Sequence, residues 1–312
     1  MNLFFSGLFL ILAIILLAFS LTSFINSGLY AFELPSHFQL HYLIFGAVFL
    51  IILIGVPFNT VVPILIVMLS LTINLVNLWP YIPLSKNIEL KNTPSYSLLQ
   101  ANVFKFNFDA KPLLKMIKDT DPDIILLSEI TRKWDRDLEP IVETYPYIYS
   151  VPKEGSHGMA LYSKIPFNNA RIEYVSDRGI PAFIIDYDDF QIISIHTLPP
   201  ISQSFFDDRN QHFDWIERHV FDLATHPLIV AGDMNITMFA ARYQKMIQRT
   251  NLINAKENRQ IGASWFGLNQ NLIGIPIDHF LHTIDIHVAS SRVMPSIKSD
   301  HHPIYTQFSP IK

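Results

Sequence analysis

The segment Gly232-Asp233-Met234-Asn235 combines residue types and a spacing that could do chemistry. It follows the apolar residues 228–231, which are typical of a buried strand. Asp233 and Asn235 are two residues apart at the end of that strand, so their side chains point to one side. Gly232 allows another group to approach the backbone closely. An acid and an amide in this arrangement could orient water, a metal ion or a phosphate, although the same residues also form ordinary turns.

Other polar side chains also stand at the ends of predicted strands, and each could equally be a turn residue or a solvated terminus. They are Asn102, Glu129, His196, Asp278, Asp300 and His301. As a set they offer hard oxygen ligands, which favour Mg²⁺ or Mn²⁺ over a structural zinc ion. Phosphoryl chemistry needs such a cation, a base for the attacking water and donors for the charge that develops on oxygen. The set contains candidates for all three parts.

The composition excludes several other kinds of site. The sequence has no cysteine, which rules out disulfides, thiolate zinc sites and cysteine nucleophiles. It also has neither a glycine-rich P-loop nor a Gly-x-Ser-x-Gly motif, so the ATPase and serine-hydrolase interpretations lack their parts.

The first 85 residues have a composition of their own and predict a membrane anchor, residues 1–85. They contain no lysine or arginine and one acid, Glu33. Apolar segments at 3–25, about 39–57 and about 61–79 are each long enough to cross the hydrocarbon core as a helix. We therefore expect about three transmembrane helices. The alternatives are a cleaved signal peptide at the first segment and a re-entrant hairpin made by the second and third.

Three spans would put the two ends of the chain on opposite faces of a multi-pass membrane protein. Residues 86–94 are predicted to form a short, stiff, proline-containing linker. Lys86 and Lys91 are the only cations near the third span, and the positive-inside rule would place the following domain in the cytoplasm. Two lysines are thin support for an orientation, so the face stays open.

Residues 95–312 are predicted to form the functional domain, in which short strands alternate with helices. Strands are expected at 95–102, 124–127, 147–151, 159–162, 172–175, 182–187, 191–196, 228–231, 277–282, 284–289 and 304–308, with helices at 111–118, 133–144, 207–223 and 238–249. This pattern predicts an α/β fold, a four-layer α/β sandwich of two packed mixed sheets flanked by helices. From residue 86 onward, 23 lysines and arginines face 26 acids, giving a net charge of −3. No basic surplus of the kind that grips a nucleic-acid backbone is present.

The order of the strand-end motifs resembles the endonuclease/exonuclease/phosphatase superfamily, which has the deoxyribonuclease I-like fold. The resemblance covers about residues 95–310 and is closest to membrane-anchored bacterial members. Its motifs in order are Asn102, Leu127-Ser128-Glu129, His157-Gly158 through Ser163, His196, Gly232-Asp233-Met234-Asn235, Ile277-Asp278-His279 and Ser299-Asp300-His301-His302-Pro303. Each motif alone is weak, but their shared order makes coincidence a poor explanation.

The resemblance implies a divalent cation, Mg²⁺ or Mn²⁺, at one side of the site. In such a site Glu129 would bind the metal ion, with Asn102 beside it and Asp300 sharing it. The implied reaction is in-line attack of water on phosphorus.

The remaining motif residues would act on the water and the phosphate. Asp233 would position or activate the water, and Asn235 and His196 would hold phosphate oxygens. His301 would be the base or a cationic phosphate contact, oriented by Asp278. The choice of base between Asp233 and His301 stays open at this point.

Two further side chains are candidates for substrate contact, and two are assigned to the structure. His157 could reach the phosphate, and Trp265 could form a pocket wall or simply be a core residue. Arg209 and His302 are interpreted as support for the fold. The tryptophan-containing motifs of inositol polyphosphate phosphatases are absent, which argues against that branch.

The sequence therefore predicts a membrane-anchored, metal-dependent hydrolase of a phosphodiester or phosphomonoester. Its expected partners are the lipid bilayer and a phosphate ester that could itself be lipid-linked. The expected location is the inner or cell membrane of a bacterium. The alternatives are a membrane-tethered nuclease, which the charge does not favour, and a non-catalytic adaptor that uses the same fold for binding.

Overall fold

The computed structural model describes residues 2–57, 59–82, 95–223, 227–256, 261–267 and 273–311. The predicted linker at 86–94, with Lys86 and Lys91, lies outside the described residues.

The N-terminal region is helical and has three stretches that are long and apolar enough to cross a membrane. They cover 4–24, 30–55 and 61–81, with mean hydropathies of 2.7, 2.2 and 2.3. The helices in these stretches are α1 (Asn2–Leu21), α2 (Tyr30–Glu33), α3 (Gln39–Gly55) and α4 (Val61–Leu78). Leucine, isoleucine, valine and phenylalanine predominate in these helices, and many of their side chains are exposed on the outer faces. This composition and length are what a helix needs to cross a membrane.

Buried polar side chains join these helices to one another. The hydroxyl oxygens of Ser20 and Ser70 are 2.7 Å apart, and the Asn74 amide donates to Ser20 Oγ at 2.9 Å. The Asn77 amide donates to Ser23 Oγ at 2.9 Å. Interhelical hydrogen bonds of this kind hold apolar helices in one arrangement.

The residues between the first two long helices are also ordered, which the sequence did not predict. They form α2 and then a 3₁₀ helix at Leu34–Phe38, which has proline at its start. Glu33, Ser36 and His37 are buried in this connection, although they are polar. Glu33 and His37 are paired there with side chains from the rest of the protein, Arg209 and Thr237 respectively.

The remaining described residues form the predicted α/β sandwich of two mixed six-stranded sheets. The strands are β1 (Tyr96–Asn102), β2 (Ile124–Ser128), β3 (Tyr147–Val151), β4 (Met159–Ser163), β5 (Asn169–Tyr174), β6 (Pro181–Asp186), β7 (Gln191–His196), β8 (Leu228–Asp233), β9 (Ile253–Asn254), β10 (Asp278–His282), β11 (Ile286–Val293) and β12 (Ile304–Pro310). Their order is β11-β12-β1-β2-β4-β3 in the first sheet and β5-β6-β7-β8-β10-β9 in the second. Among the strands that the structure describes, the β1–β2 and β7–β8 pairs are the parallel ones.

Four helices accompany the sheets, and three apolar layers separate the four layers of the sandwich. The helices are α5 (Lys111–Thr120), α6 (Arg132–Asp137), α7 (Gln203–Leu223) and α8 (Ala241–Thr250). Successive strand residues point to opposite faces, so Leu98 packs between the sheets while Leu99 packs against the α5 side. Ile192 and Ile193 divide in the same way between the sheets and the α7–α8 side. Both faces of the central strands are therefore apolar.

The apolar layer beneath α7 and α8 also receives side chains from the N-terminal region. Leu78 and Tyr81 are buried in it, and Leu40 and Leu43 pack against it. The ring of Tyr81 meets Phe239 edge-on, with 6.0 Å between ring centroids. The helical region is thus packed directly onto the second sheet's helical layer.

The strand register brings the polar strand ends to one edge of the sandwich. In the first sheet Asn102 pairs with Ser128, the residue before Glu129. In the second sheet Asp233 pairs with His196 on one side and with Asp278 on the other. Because both parallel pairs end at this edge, side chains that are distant in sequence meet there.

Candidate active site

A pocket of about 610 Å³ opens at this edge of the sandwich. The predicted residues that line it are Asn102, Glu129, His157, His196, Asp233, Asn235, Trp265, Asp300 and His301. Asp278 is buried behind His301 and bonds to it. The structure thus brings together all the side chains that the sequence singled out, while their chemical roles stay predictions.

The end of β8 has the backbone geometry that such a pocket requires. Gly232 has φ of +137°, and a Cβ atom built on it would lie 1.9 Å from the carbonyl oxygen of Ile195. Asn235 is left-handed, with φ of 48°, and its N–H donates to Asp233 Oδ1 at 3.0 Å. The Asn235 amide donates to the Thr197 carbonyl at 2.8 Å. A tight turn therefore fixes Asp233 and Asn235 relative to each other.

Asp233 lies between two histidines. Its Oδ2 atom is 3.4 Å from His196 Nε2 and 3.5 Å from His301 Nε2. Burial alone opposes a charge on His196, but the hydrogen bond and attraction of Asp233 outweigh it and raise the His196 pKa. The buried carboxylate is thus surrounded by donors.

His301 is held between two carboxylates. Its Nδ1 atom is 2.9 Å from Asp278 Oδ2, while its Nε2 atom faces Asp233. Burial works against protonation, yet attraction to Asp278 and Asp233 raises the His301 pKa to about 10. Burial likewise opposes ionisation of Asp278, but attraction to His301 prevails and lowers the pKa of Asp278. The pair therefore favours an imidazolium beside a carboxylate.

Glu129, Asn102 and Asp300 form the acidic side of the pocket. Glu129 follows β2 with φ of 64°, and its Oε2 atom accepts the backbone N–H of Lys105 at 2.9 Å. The Asn102 amide donates to Glu129 Oε1 and to Asp233 Oδ2, each at 3.2 Å. Burial, with the charges of Glu129 and Asp233 nearby, raises the pKa of Asp300. Acids crowded in this way fit a hard divalent cation, which would relieve their repulsion.

A second grouping of possible ligands overlaps this one. Ligand atoms of Asp233, Asp278 and His301 lie within 4.8 Å of one another. Because His301 Nδ1 is already bonded to Asp278, this grouping forms a hydrogen-bonded chain. The carboxylates of Glu129 and Asp300, which line the pocket beside Asn102, fit the cation better. The Asn102 oxygen accepts the Phe104 N–H at 3.0 Å, so it has one lone pair left for a cation.

His157 and Trp265, the two candidates for substrate contact, have different surroundings in the pocket. Burial first, and the charges of His196 and two lysines second, lower the pKa of His157 to about 4, so this side chain is a neutral part of the wall. Trp265 donates from Nε1 to Asp300 Oδ2 at 3.2 Å. Its backbone also bridges to His301. Trp265 is therefore more than a wall, since it holds one of the predicted metal ligands.

The sequence analysis did not identify two lysines near the site, and it assigned a third residue, Arg209, to the fold alone. Lys105 lines the pocket, with its backbone N–H bonded to Glu129, and Lys256 is buried close enough to Asp278 for their charges to attract. Arg209 is fully buried and donates to the Asn235 carbonyl at 3.2 Å. One signal was available for Arg209, because Glu33, its ion-pair partner, is the only acid in residues 1–85.

Comparison with known proteins identifies a matching family and solved structures with a similar fold. A family model described as the endonuclease/exonuclease/phosphatase family matches residues 99–301. No protein with a curated description matches the chain.

Solved structures of low sequence identity share the fold. An endonuclease/exonuclease/phosphatase from Beutenbergia cavernae is 17% identical with a TM-score of 0.58, covering 69% of this chain and 72% of that one. A 3′-5′ exonuclease from Neisseria meningitidis is 15% identical with a TM-score of 0.58, covering 68% and 99%. TDP2 from D. rerio, complexed with a single-strand DNA product, is 13% identical with a TM-score of 0.58, covering 69% and 98%. At these identities the likeness is one of fold.

Proposed function

Since the chain belongs to the endonuclease/exonuclease/phosphatase family, we propose that it is a metal-dependent phosphoester hydrolase anchored in a membrane. The observation that carries the proposal is the meeting of Glu129, Asp233 and Asp300 with two histidines in one pocket. Acids supply a cation site and a base, and histidines supply donors for phosphate oxygens.

Glu129, Asn102 and Asp300 would hold the cation, Mg²⁺ or Mn²⁺. When bound, such an ion neutralises charge on the phosphate oxygens. The Lys105 backbone N–H and the Trp265 indole already fix the orientation of two of these ligands. This side of the pocket would therefore receive the phosphate in one defined position.

Asp233 is the better candidate for the base that takes a proton from the attacking water. His301 faces a carboxylate at each ring nitrogen, and an imidazole satisfies two acceptors only when both nitrogens carry protons. As a cation, His301 would then attract a phosphate oxygen, while His196 and the Asn235 amide would hold it by hydrogen bonds. Asp233, surrounded by these donors, would accept the proton of the water.

We further propose that the substrate phosphate is carried by a lipid. Gln203, at the start of α7, donates to the Gly28 carbonyl at 2.9 Å, between two stretches long enough to span a membrane. Just before it, Ile201 lines the pocket and leaves 70% of its side chain exposed. The apolar wall of the pocket, formed by Leu198, Pro199, Ile201 and Phe205, is thus adjacent to the surface where the spans would leave the bilayer. A lipid head group could enter along this wall.

The charge of the pocket supports a single phosphate group over a long polyanion. Among the described residues that line it, Lys105 is the only lysine or arginine. A nucleic-acid strand needs a positively charged groove along its backbone. A tethered nuclease remains the alternative enzyme, and the nearly complete set of acids and histidines counts against an idle adaptor.

The test uses the full chain in lipid nanodiscs with Mg²⁺ and three substrates. These are an embedded phospholipid, soluble bis-p-nitrophenyl phosphate and single-stranded DNA. We expect hydrolysis of the phospholipid to exceed that of DNA, to stop with EDTA and to fall by about 10²-fold or more in Asp233→Ala. Asp186→Asn, an acid at the end of neighbouring β6 and outside the pocket, is the matched control and should stay active.

Three results would change this conclusion. Equal inactivity of wild type and Asp233→Ala on all three substrates would overturn the hydrolase proposal. Hydrolysis that persists in EDTA would overturn the metal dependence. Turnover of DNA alone would replace the lipid phosphate with nuclease activity.

A further inference from the structure

We infer that Glu33, in the membrane-anchor region, is a positioning residue for the active site and acts through Arg209 on the turn that carries Asn235. The inference rests on the proposed function, since Asn235 is taken to hold a phosphate oxygen. Its consequence is that the helical region belongs to the catalytic machinery and does more than retain the enzyme at a membrane.

The contact between the two regions is a buried, two-pronged ion pair. Arg209 Nη1 is 2.6 Å from Glu33 Oε1, and Arg209 Nη2 is 2.9 Å from Glu33 Oε2. The Arg209 side chain is 0% exposed and that of Glu33 is 6% exposed. Parallel bonds from a guanidinium to a carboxylate fix both direction and distance. The pair therefore defines where the guanidinium lies.

Glu33 is what allows a charge to be buried at this position. In the described part of the chain it is the only carboxylate within ion-pair distance of Arg209. Its other contacts are neutral, namely the Asn235 carbonyl, the Asn210 side chain and the rings of Phe206 and Phe213. The nearby charge of Arg242 repels the guanidinium. A buried charge without a counter-charge is strongly unfavourable. Without Glu33, Arg209 would have to move toward water or draw in another partner.

Movement of Arg209 would reach the active site directly. Its Nη1 atom, which bonds Glu33, also donates to the backbone carbonyl of Asn235. Asn235 is in a left-handed conformation, which asparagine adopts more readily than most residues, and the bond to its carbonyl helps to fix the turn there. The guanidinium thus supports the turn from behind while the Asn235 side chain faces the pocket.

A second contact connects the same anchor segment to the same turn. His37, four residues after Glu33, has its Nδ1 atom 3.0 Å from Thr237 Oγ1. Both side chains are buried. Two contacts from residues 33–37 therefore reach residues 235–237, one through Arg209 and one direct, and the two side chains are themselves 3.6 Å apart. This is the pattern expected if the segment sets the position of the turn.

The test compares two glutamate variants in the full chain in nanodiscs. Glu33→Gln keeps the shape of the side chain and removes the counter-charge of Arg209. Glu217→Gln is the matched control, because Glu217 pairs with Arg242, another buried arginine, at 2.7 Å between α7 and α8. Neither Glu217 nor Arg242 lines the pocket. Each variant neutralises a glutamate that pairs with a buried arginine, and only Glu33 is connected to the turn. Arg242 keeps a second carboxylate, Asp214, at 2.8 Å, so the control removes the ion pair without leaving its arginine unpaired.

We expect Glu33→Gln to lower kcat by about 10-fold to 100-fold per folded molecule, with KM changed by less than about threefold. Glu217→Gln should lower the melting temperature and leave kcat within about twofold of wild type. Hydrogen–deuterium exchange should be faster over residues 234–240 in Glu33→Gln and unchanged there in Glu217→Gln. The exchange measurement does not require turnover, so it tests the coupling even if the proposed activity fails.

Two outcomes would overturn the inference. One is a Glu33→Gln enzyme with wild-type kcat and wild-type exchange over residues 234–240. The other is an equal change of kcat and exchange in both variants, which would mean that any lost ion pair has the same general effect. Wild-type inactivity on every substrate would count against the proposed function alone, and the exchange data would still decide the role of Glu33.

Discussion

At the scale of single residues, Lys256 is the most unusual side chain near the site. It is 1% exposed, and its Nζ atom has no hydrogen-bond partner among the described residues. Burial lowers its pKa from 10.5 to about 8, and attraction to Asp278 offsets only part of this effect. The amine is thus a source of instability at neutral pH.

We predict that Lys256→Met is more stable than wild type at pH 7 and that the difference shrinks as the pH rises. Between pH 8 and 10.5 the unfolded chain holds a proton that the folded chain has lost, so wild-type stability increases with pH across this window. The fall of the Lys256 pKa from 10.5 to about 8 corresponds to a change of about 3 kcal/mol in stability. Chemical denaturation at pH 7, 8.5 and 10 measures it.

Lys118→Met, at an exposed position of α5, controls for general alkaline effects. A constant difference between Lys256→Met and wild type from pH 7 to pH 10 would contradict the prediction.

The sequence predicted the residues of the candidate site correctly where they lie at the end of an apolar strand. Asp233, Glu129 and Asp278 each adjoin an apolar run, and strand ends collect at one edge of a sandwich. Lys256 had no such signal, because its position beside Asp278 depends on how β9 pairs with β10. The role of Trp265 in holding Asp300 was equally invisible, since it depends on a contact across 35 residues.

At the scale of elements, the close approach of β7 and β8 depends on Gly232. This residue pairs with Ile195, and a Cβ atom on it would lie 1.9 Å from the Ile195 carbonyl oxygen. The next pair along the two strands is His196 with Asp233. Any separation of the strands at Gly232 would therefore move a histidine away from the acid that it faces.

We predict that Gly232→Ala lowers the free energy of unfolding by about 2–5 kcal/mol, from backbone strain together with the clash. Activity per folded molecule should fall as well, because His196 and Asp233 separate. Denaturant unfolding and turnover of the folded fraction measure the two effects.

Gly179→Ala is the matched control for backbone strain alone. Gly179 also has a positive φ, +64°, but the nearest atom to its added Cβ is 4.0 Å away. It should cost about 1–2 kcal/mol and leave activity intact. Equal unfolding midpoints for the two variants would show that the clash at Gly232 does not matter.

The sequence predicted whether a segment is a helix or a strand where its residues are strongly buried. It did not predict the length of every element. The limits of β3 and β7 were predicted correctly, because both strands contain β-branched and aromatic runs between clear breaks. The predicted helix at 133–144 was wrong in length, since α6 ends at Asp137 and a 3₁₀ turn with Pro140 follows. The two-residue β9 and the helical connection at 30–38 are too short to leave a periodic pattern.

At the scale of the whole molecule, the charge distribution predicted two regions but not their contact. The sequence suggested an anchor and a separate domain, because charged residues are almost absent before residue 86. The structure shows Leu78 and Tyr81 inside the apolar layer of the second sheet, and Glu33 paired with Arg209. A lone buried acid in an apolar segment was the one sign of this contact, and its partner was unknowable without the fold.

The ion pair between Glu33 and Arg209 predicts that Arg209→Met has opposite effects on stability with and without Glu33. In the full chain, Arg209→Met leaves Glu33 buried with no arginine beside it, only the His37 imidazole at 3.6 Å. It should lower the free energy of unfolding by about 3–5 kcal/mol. In a chain that carries Glu33→Gln, the covering residues stay in place and Arg209 itself is the unpaired charge. There Arg209→Met should raise stability, because it replaces that charge with an apolar side chain of similar length. Denaturant unfolding of the variants in both forms, in matched detergent, measures the difference in sign. Arg171→Met, at a half-buried position on β5, is the control and should act alike in both forms. If Arg209→Met destabilises both forms equally, Glu33 does not stabilise the charge of Arg209.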